Sequence, residues 1–338
     1  MHNPAGHRVP LSVLDVVPLR SGETVGQAFA ETVALAQHVE GLGYRRYWFA
    51  EHHGAASIAS SAPAILIGHV AQATTTLRVG SGGVMLPNHA SLAVAEQFGT
   101  LEALFPGRID LGLGRAPGTD HLTASALRRS DSRGGDDFVE QLDDLFSFFR
   151  GDFPARHPFK NIKALPALGH EPPVWLLGSS DYSARLAGER GLPFSFAHHF
   201  SGENTLPALR LYRQKFQPSA ALKKPHAMIC VTAIVADTDV EARALALPTA
   251  LAFLRMRTGQ TGAYPTLQEA EAYAWTPPER AFAEQWIDKA IVGSPDNARR
   301  QLQRLVDDTG ADEVMVMCTA PSLQARQYSY ALLQQVTA

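Results

Sequence analysis

Cysteine is scarce in this chain: Cys230 and Cys318 are the only two among 338 residues. Two thiols are too few for a disulfide framework or for a zinc site built from cysteines. Both lie inside apolar stretches of the sequence. We therefore expect two buried, reduced thiols.

A predominant charge is also lacking, since the chain carries 30 basic and 33 acidic residues and a net charge of −3. That balance provides no strong electrostatic field for binding nucleic acid or a membrane surface. Long apolar runs are lacking too, because none approaches the roughly 18 residues of a membrane span. Residues 1–10 have no apolar core of the kind found in signal peptides. Together these features predict a soluble cytoplasmic enzyme.

The sequence does contain a regular alternation of short apolar runs with stretches of helical periodicity. Its hydrophobic fraction of 45% is ample for a large core. Eight apolar runs, many of them rich in β-branched residues, are each followed by a stretch with helical periodicity. The predicted strands are residues 9–15, 47–50, 77–81, 108–114, 173–177, 194–197, 227–236 and 312–318.

Strands that alternate with helices pair in parallel and are buried on both faces. Eight such units predict a closed (β/α)8 barrel, a TIM barrel, as one domain over residues 1–338 with enlarged loops after strands four and seven. The alternative is a doubly wound open sheet with an appended helical piece. No GxGxxG motif opens the first unit, which weighs against the dinucleotide-binding version of that fold.

In such a barrel the functional side chains lie at the C-terminal ends of the strands. The residues at these ends are Asp15, Glu51, His52, His53, Gly82, Gly83, Arg115, Gly178, Ser179, Ser180, His198 and His199. Residues 116–135 follow the fourth strand and are polar, so we predict a flexible lid over this mouth of the barrel. Candidates for an apolar pocket lining are Trp48, Phe49, Met85 and His198.

Three of these ends suggest a ligand with a phosphate and a flat ring. Gly178, Ser179 and Ser180 precede a helix, where free N–H groups bind phosphate, although serine is also an ordinary N-cap. Arg115 could add a bidentate positive charge, or it could be a solvated loop residue. The two glycines at 82 and 83 either allow a planar ligand to approach bare backbone closely or form a simple tight turn.

The adjacent imidazoles of His52 and His53 suggest a catalytic base or metal ligands. Neighbouring side chains point in different directions, and no HExxH spacing is present, so a metal site is disfavoured. A neutral histidine near pH 7 suits proton transfer. His53 and His198 could equally be packing residues, and Glu51 could either orient His52 or cap the loop that follows.

Taken together, five segments resemble the bacterial luciferase-like flavin-dependent monooxygenase family. They are residues 47–53 (Tyr-Trp-Phe-Ala-Glu-His-His), 77–87, 105–115, 178–180 and 292–295. The resemblance implies an enzyme that takes reduced FMN from a separate NAD(P)H:flavin reductase. With O2, the reduced FMN gives a C4a-peroxyflavin that oxygenates a small organic substrate. Members of the family are often homodimers.

The resemblance also assigns roles by position. It implies a cis peptide bond at Gly82–Gly83 beneath the flavin ring, FMN phosphate binding by Arg115, Ser179 and Ser180, and His52 as the catalytic base. Gly114 stands where the luciferase α chain has a reactive cysteine, which puts light-emitting aldehyde chemistry in doubt. Two alternatives are a non-catalytic flavin-binding protein of this fold and an F420-dependent hydride-transfer oxidoreductase.

Overall fold

The computed structural model describes residues 9–116, 118–127 and 137–337. The strands are β1 (Leu11–Asp15), β2 (Arg46–Phe49), β3 (Arg78–Met85), β4 (Ile109–Gly114), β5 (Val174–Gly178), β6 (Phe194–Phe196), β7 (Ala227–Val235), β8 (Ile291–Gly293) and β9 (Glu313–Met317). The helices are α1 (Val25–Gly41), α2 (Pro63–Ala73), α3 (Ser91–Leu104), α4 (His121–Leu127), α5 (Phe138–Arg150), α6 (Asp181–Arg190), α7 (Thr205–Lys215), α8 (Asp239–Arg257), α9 (Leu267–Ala272), α10 (Pro277–Asp288), α11 (Pro295–Thr309) and α12 (Leu323–Val336).

Eight of the strands close into a parallel barrel. Their order is β6-β5-β4-β3-β2-β1-β9-β7, and β6 pairs with β7 to complete the circle. Helices follow the strands along the chain and cover the outer face of the sheet, while side chains fill the interior of the barrel. The predicted (β/α)8 barrel is confirmed, and the alternative of an open doubly wound sheet is wrong. Both enlarged connections occur where predicted, after β4 and after β7.

Three short elements and the end of one longer strand depart from the predicted pattern. Strand β8 has three residues and pairs with β7 at Ala233–Val235, which is too short a stretch for a periodicity to be visible. Helix α4 occupies part of the predicted lid, and residues 117 and 128–135 of that segment lie outside the described residues. Helix α9 lies in the enlarged loop predicted after strand seven. Strand β3 runs through Gly82 and Gly83 rather than ending at residue 81.

Helix α1 illustrates how local sequence fixes an element. Thr24 caps it by accepting a hydrogen bond from the backbone N–H of Gln27, while the Gln27 side chain accepts from the backbone N–H of Thr24. This reciprocal capping satisfies two donors that a helix start leaves free. Its buried residues are Ala28, Thr32, Leu35, Ala36 and Val39. That stripe has helical spacing and packs against the barrel.

The barrel wall separates two apolar cores, as strand β2 demonstrates. Side chains alternate along a strand, so Tyr47 and Phe49 join the core between sheet and helices whereas Trp48 belongs to the barrel interior. The Trp48 ring packs edge-on against Trp175, with centroids 5.2 Å apart. Met228 and other apolar side chains fill the rest of the interior.

Buried charges occupy the N-terminal end of the barrel. The Arg46 guanidinium donates to Asp110 at 2.7 Å and to Glu313 at 2.8 Å. Burial alone would raise the pKa of Glu313, but interactions with His226 and Arg46 hold it at about 2. These compensated charges fill the N-terminal end of the barrel. Within the described ranges, no helix is both long and apolar enough to span a bilayer.

Candidate active site

A cavity of about 270 Å³ opens at the C-terminal ends of the strands. We call it the mouth cavity. Seven of the residues that the sequence singled out for catalysis or cofactor binding line it: His52, Gly82, Gly83, Arg115, Gly178, Ser179 and Ser180. They come from four different strand ends, which the closure of the barrel brings together.

His52 contributes a neutral imidazole to the mouth cavity. Its backbone N–H donates to the Ser60 carbonyl at 2.9 Å. Burial lowers the pKa of His52, and the nearby Glu51 carboxylate opposes that effect without cancelling it. The Nδ1 atom is buried and has no hydrogen-bond partner among the described residues. Because buried polar atoms normally have partners, this atom is suited to a ligand or a transferred proton.

The Glu51 carboxylate supports the loop around His52 rather than His52 itself. It accepts hydrogen bonds from Nε2 of His53 and Nε2 of His89, both at 2.8 Å, and from the backbone N–H of Met85 at 3.0 Å. Burial alone would raise the pKa of Glu51, but the bonds from His89 and His53 lower it. Glu51 is therefore ionised and ties the end of β2 to the end of β3. The alternative in which it orients His52 is wrong.

This arrangement predicts a pH-dependent contribution to stability. The ionised Glu51 stabilises the folded protein fully above the ordinary pKa of 4.5, and the contribution is lost as the pH falls through the lower folded value. Glu51→Gln should cost about 1–3 kcal/mol at pH 7, and less at acidic pH. Urea unfolding of both proteins across the acidic range measures the difference. Glu284→Gln, at an exposed site, is the control, and an equal loss at every pH would contradict the prediction.

The peptide bond between Gly82 and Gly83 is cis, as the resemblance implies. A Cβ on Gly82 would lie 2.6 Å from Leu14 Cδ1, and one on Gly83 would lie 2.7 Å from the Gly112 carbonyl oxygen. A larger residue at 83 would therefore collide with the backbone of β4, and one at 82 would displace the Leu14 side chain. Since both residues lie within β3, the tight-turn explanation is wrong, and bare backbone faces the cavity.

Arg115, Ser179 and Ser180 form a cradle of hydrogen-bond donors at one side of the mouth cavity. The Arg115 guanidinium lies 3.9 Å from the ring centroid of Tyr182 and forms no ion pair with any described residue. Ser180 precedes α6, yet its hydroxyl makes no capping hydrogen bond. Gly178 is required beside them, because a Cβ there would lie 2.7 Å from Ser183 Cβ. A helix start, two free hydroxyls and a guanidinium together suit a phosphate group.

A second imidazole, that of His199, also lines the mouth cavity. Its Nδ1 lies 3.0 Å from the Cys230 carbonyl oxygen. A carbonyl only accepts hydrogen bonds, so Nδ1 carries the proton and Nε2 is left as an acceptor. Burial lowers the pKa of His199 to about 4. This residue is therefore neutral at physiological pH.

Apart from Met85, the remaining candidates do not line the mouth cavity. Asp15 is fully buried in an ion pair with Arg326, because β1 turns this carboxylate toward α12. Trp48 and Phe49 are also fully buried, so their prediction as pocket residues is wrong. His198 bonds to the Thr205 hydroxyl and lines a neighbouring cavity instead. Of the four pocket candidates, Met85 is in place.

Sequence reasoning missed the apolar wall of the mouth cavity. Met315 and Met317 lie two residues apart on β9 and both face inward, since alternate residues of a strand share a face. That spacing could have predicted that both methionines face the barrel interior. Cys230 lines the cavity too, and burial raises the pKa of its thiol. Both cysteines are buried and free, as expected.

The segment after β4 contacts the loop that carries the histidines. The Thr119 hydroxyl donates to the His53 carbonyl at 2.8 Å. A Cβ on Gly118 would lie 3.0 Å from the Glu51 carbonyl oxygen. The described part of this segment thus packs beside the mouth, and its action as a lid stays a prediction.

Two distantly related solved structures share the fold. One is the oxygenating constituent of 3,6-diketocamphane monooxygenase from Pseudomonas putida in complex with FMN, 18% identical with a TM-score of 0.73, covering 98% of each chain. The other is an F420-dependent secondary alcohol dehydrogenase, 16% identical with a TM-score of 0.67, also covering 98% of each chain.

Nearer matches cover almost the whole chain. A luciferase-like monooxygenase of Escherichia coli is 45% identical, with 97% of each chain covered. An N-acetyl-S-alkylcysteine monooxygenase of Bacillus subtilis is 34% identical, with 96% of this chain and 97% of the relative covered. The solved structure of apo-MsnO8 is 36% identical with a TM-score of 0.89, covering 97% of this chain and 98% of that chain. The family model for luciferase-like monooxygenases matches residues 10–313. The chain therefore belongs to the luciferase-like monooxygenase family.

Proposed function

We propose that this protein is an FMN-dependent monooxygenase that uses reduced FMN and O2 to oxygenate a small organic substrate. One observation carries the proposal: a single cavity brings a donor cradle suited to phosphate together with a buried, neutral imidazole that has a free nitrogen. A separate NAD(P)H:flavin reductase would supply the reduced FMN. A homodimer and a cytoplasmic location are further predictions.

The residues present fit FMN. Arg115, Ser179 and Ser180 would hold its phosphate, because their donors have no competing partners among the described residues. The bare backbone at Gly82–Gly83 would face its ring system. When bound, reduced FMN would supply the electrons that activate O2 for transfer to the substrate.

The protein's own residues would provide three further functions. His52 is neutral near pH 7 and can accept or return a proton at a ring nitrogen. Apolar side chains such as Leu14, Met315 and Met317 would exclude water from the reacting groups. The Glu51 network holds the strand ends at fixed positions around His52.

The relatives support this chemistry over the alternatives. The near relatives from Escherichia coli and Bacillus subtilis carry monooxygenase names, and the second is named for an organic sulfur substrate. The F420-dependent enzyme shares only the fold with this chain. A titration that compares FMN with F420 tests the hydride-transfer alternative. If this protein were an F420-dependent oxidoreductase, it would bind F420 more tightly than FMN.

The test of function is oxygen incorporation. Photoreduced FMN is mixed with the protein without oxygen, and ¹⁸O₂ is then added with N-acetyl-S-methylcysteine or another small organic candidate. We expect the protein to change the rate at which reduced FMN reoxidises, and we expect one labelled oxygen atom in the product. Reoxidation at the rate seen in buffer, with no labelled product from any candidate, would overturn the proposal.

The phosphate cradle makes a separate prediction about binding. Arg115→Met removes a charge-assisted contact, so affinity for FMN should fall by roughly tenfold or more, whereas affinity for riboflavin, which lacks the phosphate, should not change. Quenching of flavin fluorescence measures both. Arg185→Met, on an exposed part of α6, is the matched control. Equal weakening of FMN and riboflavin would contradict the assignment of Arg115 to the phosphate.

A further inference from the structure

A second cavity of about 270 Å³ adjoins the mouth cavity. We call it the side cavity. The two share His199, Phe200 and Met317 as lining residues, so these three side chains form the boundary between them. A molecule bound in the side cavity would therefore extend to the edge of the site proposed for FMN.

Helices α8 and α10 build the side cavity with aromatic side chains. Phe253 lies on α8, while Phe282 and Trp286 lie one turn apart on one face of α10. The rings of Phe253 and Trp286 are 5.4 Å apart and tilted by 31°. All three side chains are half-buried and line the cavity. They offer a flat apolar surface to the body of a ligand.

The charged groups of this lining are all positive. Arg257 lies one turn beyond Phe253, and Lys289 follows the end of α10. The Arg257 guanidinium lies 5.0 Å from the ring centroid of Phe282. Neither cation forms an ion pair with a described residue, and no described lining residue is acidic. The nearby Asp288 pairs with Arg243 at 2.9 Å instead.

The two histidines of the side cavity do not change the charge of its lining. His198 and His199 line the side cavity as well, and burial lowers the pKa of each. Both are neutral at pH 7, so the positive charge comes from Arg257 and Lys289. At the boundary, His199 Nε2 offers a hydrogen-bond acceptor, since its Nδ1–H is used by the Cys230 carbonyl.

We propose that the side cavity binds a small organic carboxylate with an aromatic or branched apolar body. The carboxylate lies between Arg257 and Lys289, and the body packs against Phe253 and Trp286. The identification of this anion as the oxygenated substrate rests on the proposed function, whereas its binding does not. The apolar end then points toward the boundary at His199, where the mouth cavity begins.

The test compares 4-phenylbutyrate with 4-phenylbutan-1-ol, which keeps the apolar body and lacks the charge. Binding is measured without flavin through tryptophan fluorescence, with Trp286→Phe identifying the part of the signal that comes from the side cavity. We expect the carboxylate to bind more tightly than the alcohol and to weaken as salt is added. The exposed double variant Arg257→Gln/Lys289→Gln should lose roughly three- to tenfold in carboxylate affinity and nothing in alcohol affinity.

Two controls locate the anion. Lys224→Gln removes an exposed lysine outside the side cavity and should leave carboxylate affinity unchanged. Arg115→Met should also leave it unchanged; if this variant and not the double variant abolishes binding, the anion occupies the phosphate cradle and the proposal is overturned. Equal affinity for carboxylate and alcohol in the wild type would overturn it too.

The two proposals fail separately. FMN-dependent oxygenation is assayed on the same preparations. If the carboxylate binds as expected but no candidate is oxygenated, the proposed function falls and the anion site stands. If oxygenation occurs but the double variant retains full carboxylate affinity, the anion site falls and the proposed function stands.

Discussion

Replacing His52 with alanine is expected to lower turnover by about 10²–10⁴-fold, the usual contribution of a positioned acid or base. The affinity for FMN should stay within about threefold of the wild type, because the contacts proposed for the phosphate come from Arg115, Ser179 and Ser180. The imidazole lines the mouth cavity with a buried, unpartnered Nδ1, and removing it takes away the proposed proton acceptor. Single-turnover oxygenation with saturating reduced FMN measures the effect directly.

The pH profile separates proton transfer from simple packing at this position. Burial lowers the pKa of His52, so the neutral, active form should persist below the ordinary value of 6.5. The acid limb of kcat/KM should therefore lie below pH 6.5 in the wild type and should disappear in His52→Gln, which keeps a polar side chain of similar reach. His170→Ala, at an exposed site, is the matched control.

The His52→Ala variant also distinguishes an enzyme from a non-catalytic flavin-binding protein. A non-catalytic flavin-binding protein would bind FMN equally with His52 or with alanine and would show no turnover to lose. Full turnover in His52→Ala would contradict the role proposed for the imidazole. Loss of FMN binding together with turnover would instead place His52 in the cofactor site.

Replacing Arg326 with methionine is expected to destabilise the fold by about 3–5 kcal/mol, because it leaves a buried carboxylate without its cation. Arg326 Nη2 donates to Asp15 at 2.7 Å, and both side chains are almost fully buried. The Asp15 carboxylate also accepts hydrogen bonds from the Tyr47 hydroxyl and, at 3.0 Å, from the Thr32 hydroxyl. Although burial alone would raise the pKa of Asp15, Arg326 and these donors lower it.

Urea unfolding at neutral pH measures this loss. Arg304→Met, at an exposed site on α11, controls for the general effect of removing an arginine. The double variant Asp15→Asn/Arg326→Met should recover part of the stability, since it removes the uncompensated charge as well. A loss in Arg326→Met no larger than in the control would show that the ion pair does not carry this stability.

Much of the fold follows from local patterns in the sequence. Apolar runs with alternating helices predict the eight barrel strands, because strands buried on both faces must be apolar throughout. Capping residues such as Thr24 mark helix starts in the same local way. Strand β8 and helices α4 and α9 could not be seen, since elements of three to seven residues show less than two periods of any pattern.

The sequence by itself determined the barrel and most of the polar residues at its mouth, because position at a strand end is a local property and closure brings all such ends together. The tertiary structure decided the role of each polar group. Asp15 meets Arg326 across 311 positions of the chain, Glu51 takes His53 and His89 rather than His52, and α8 and α10 join to form the side cavity. Such partners are set by packing between distant segments, and no local periodicity encodes which of several buried polar groups will meet.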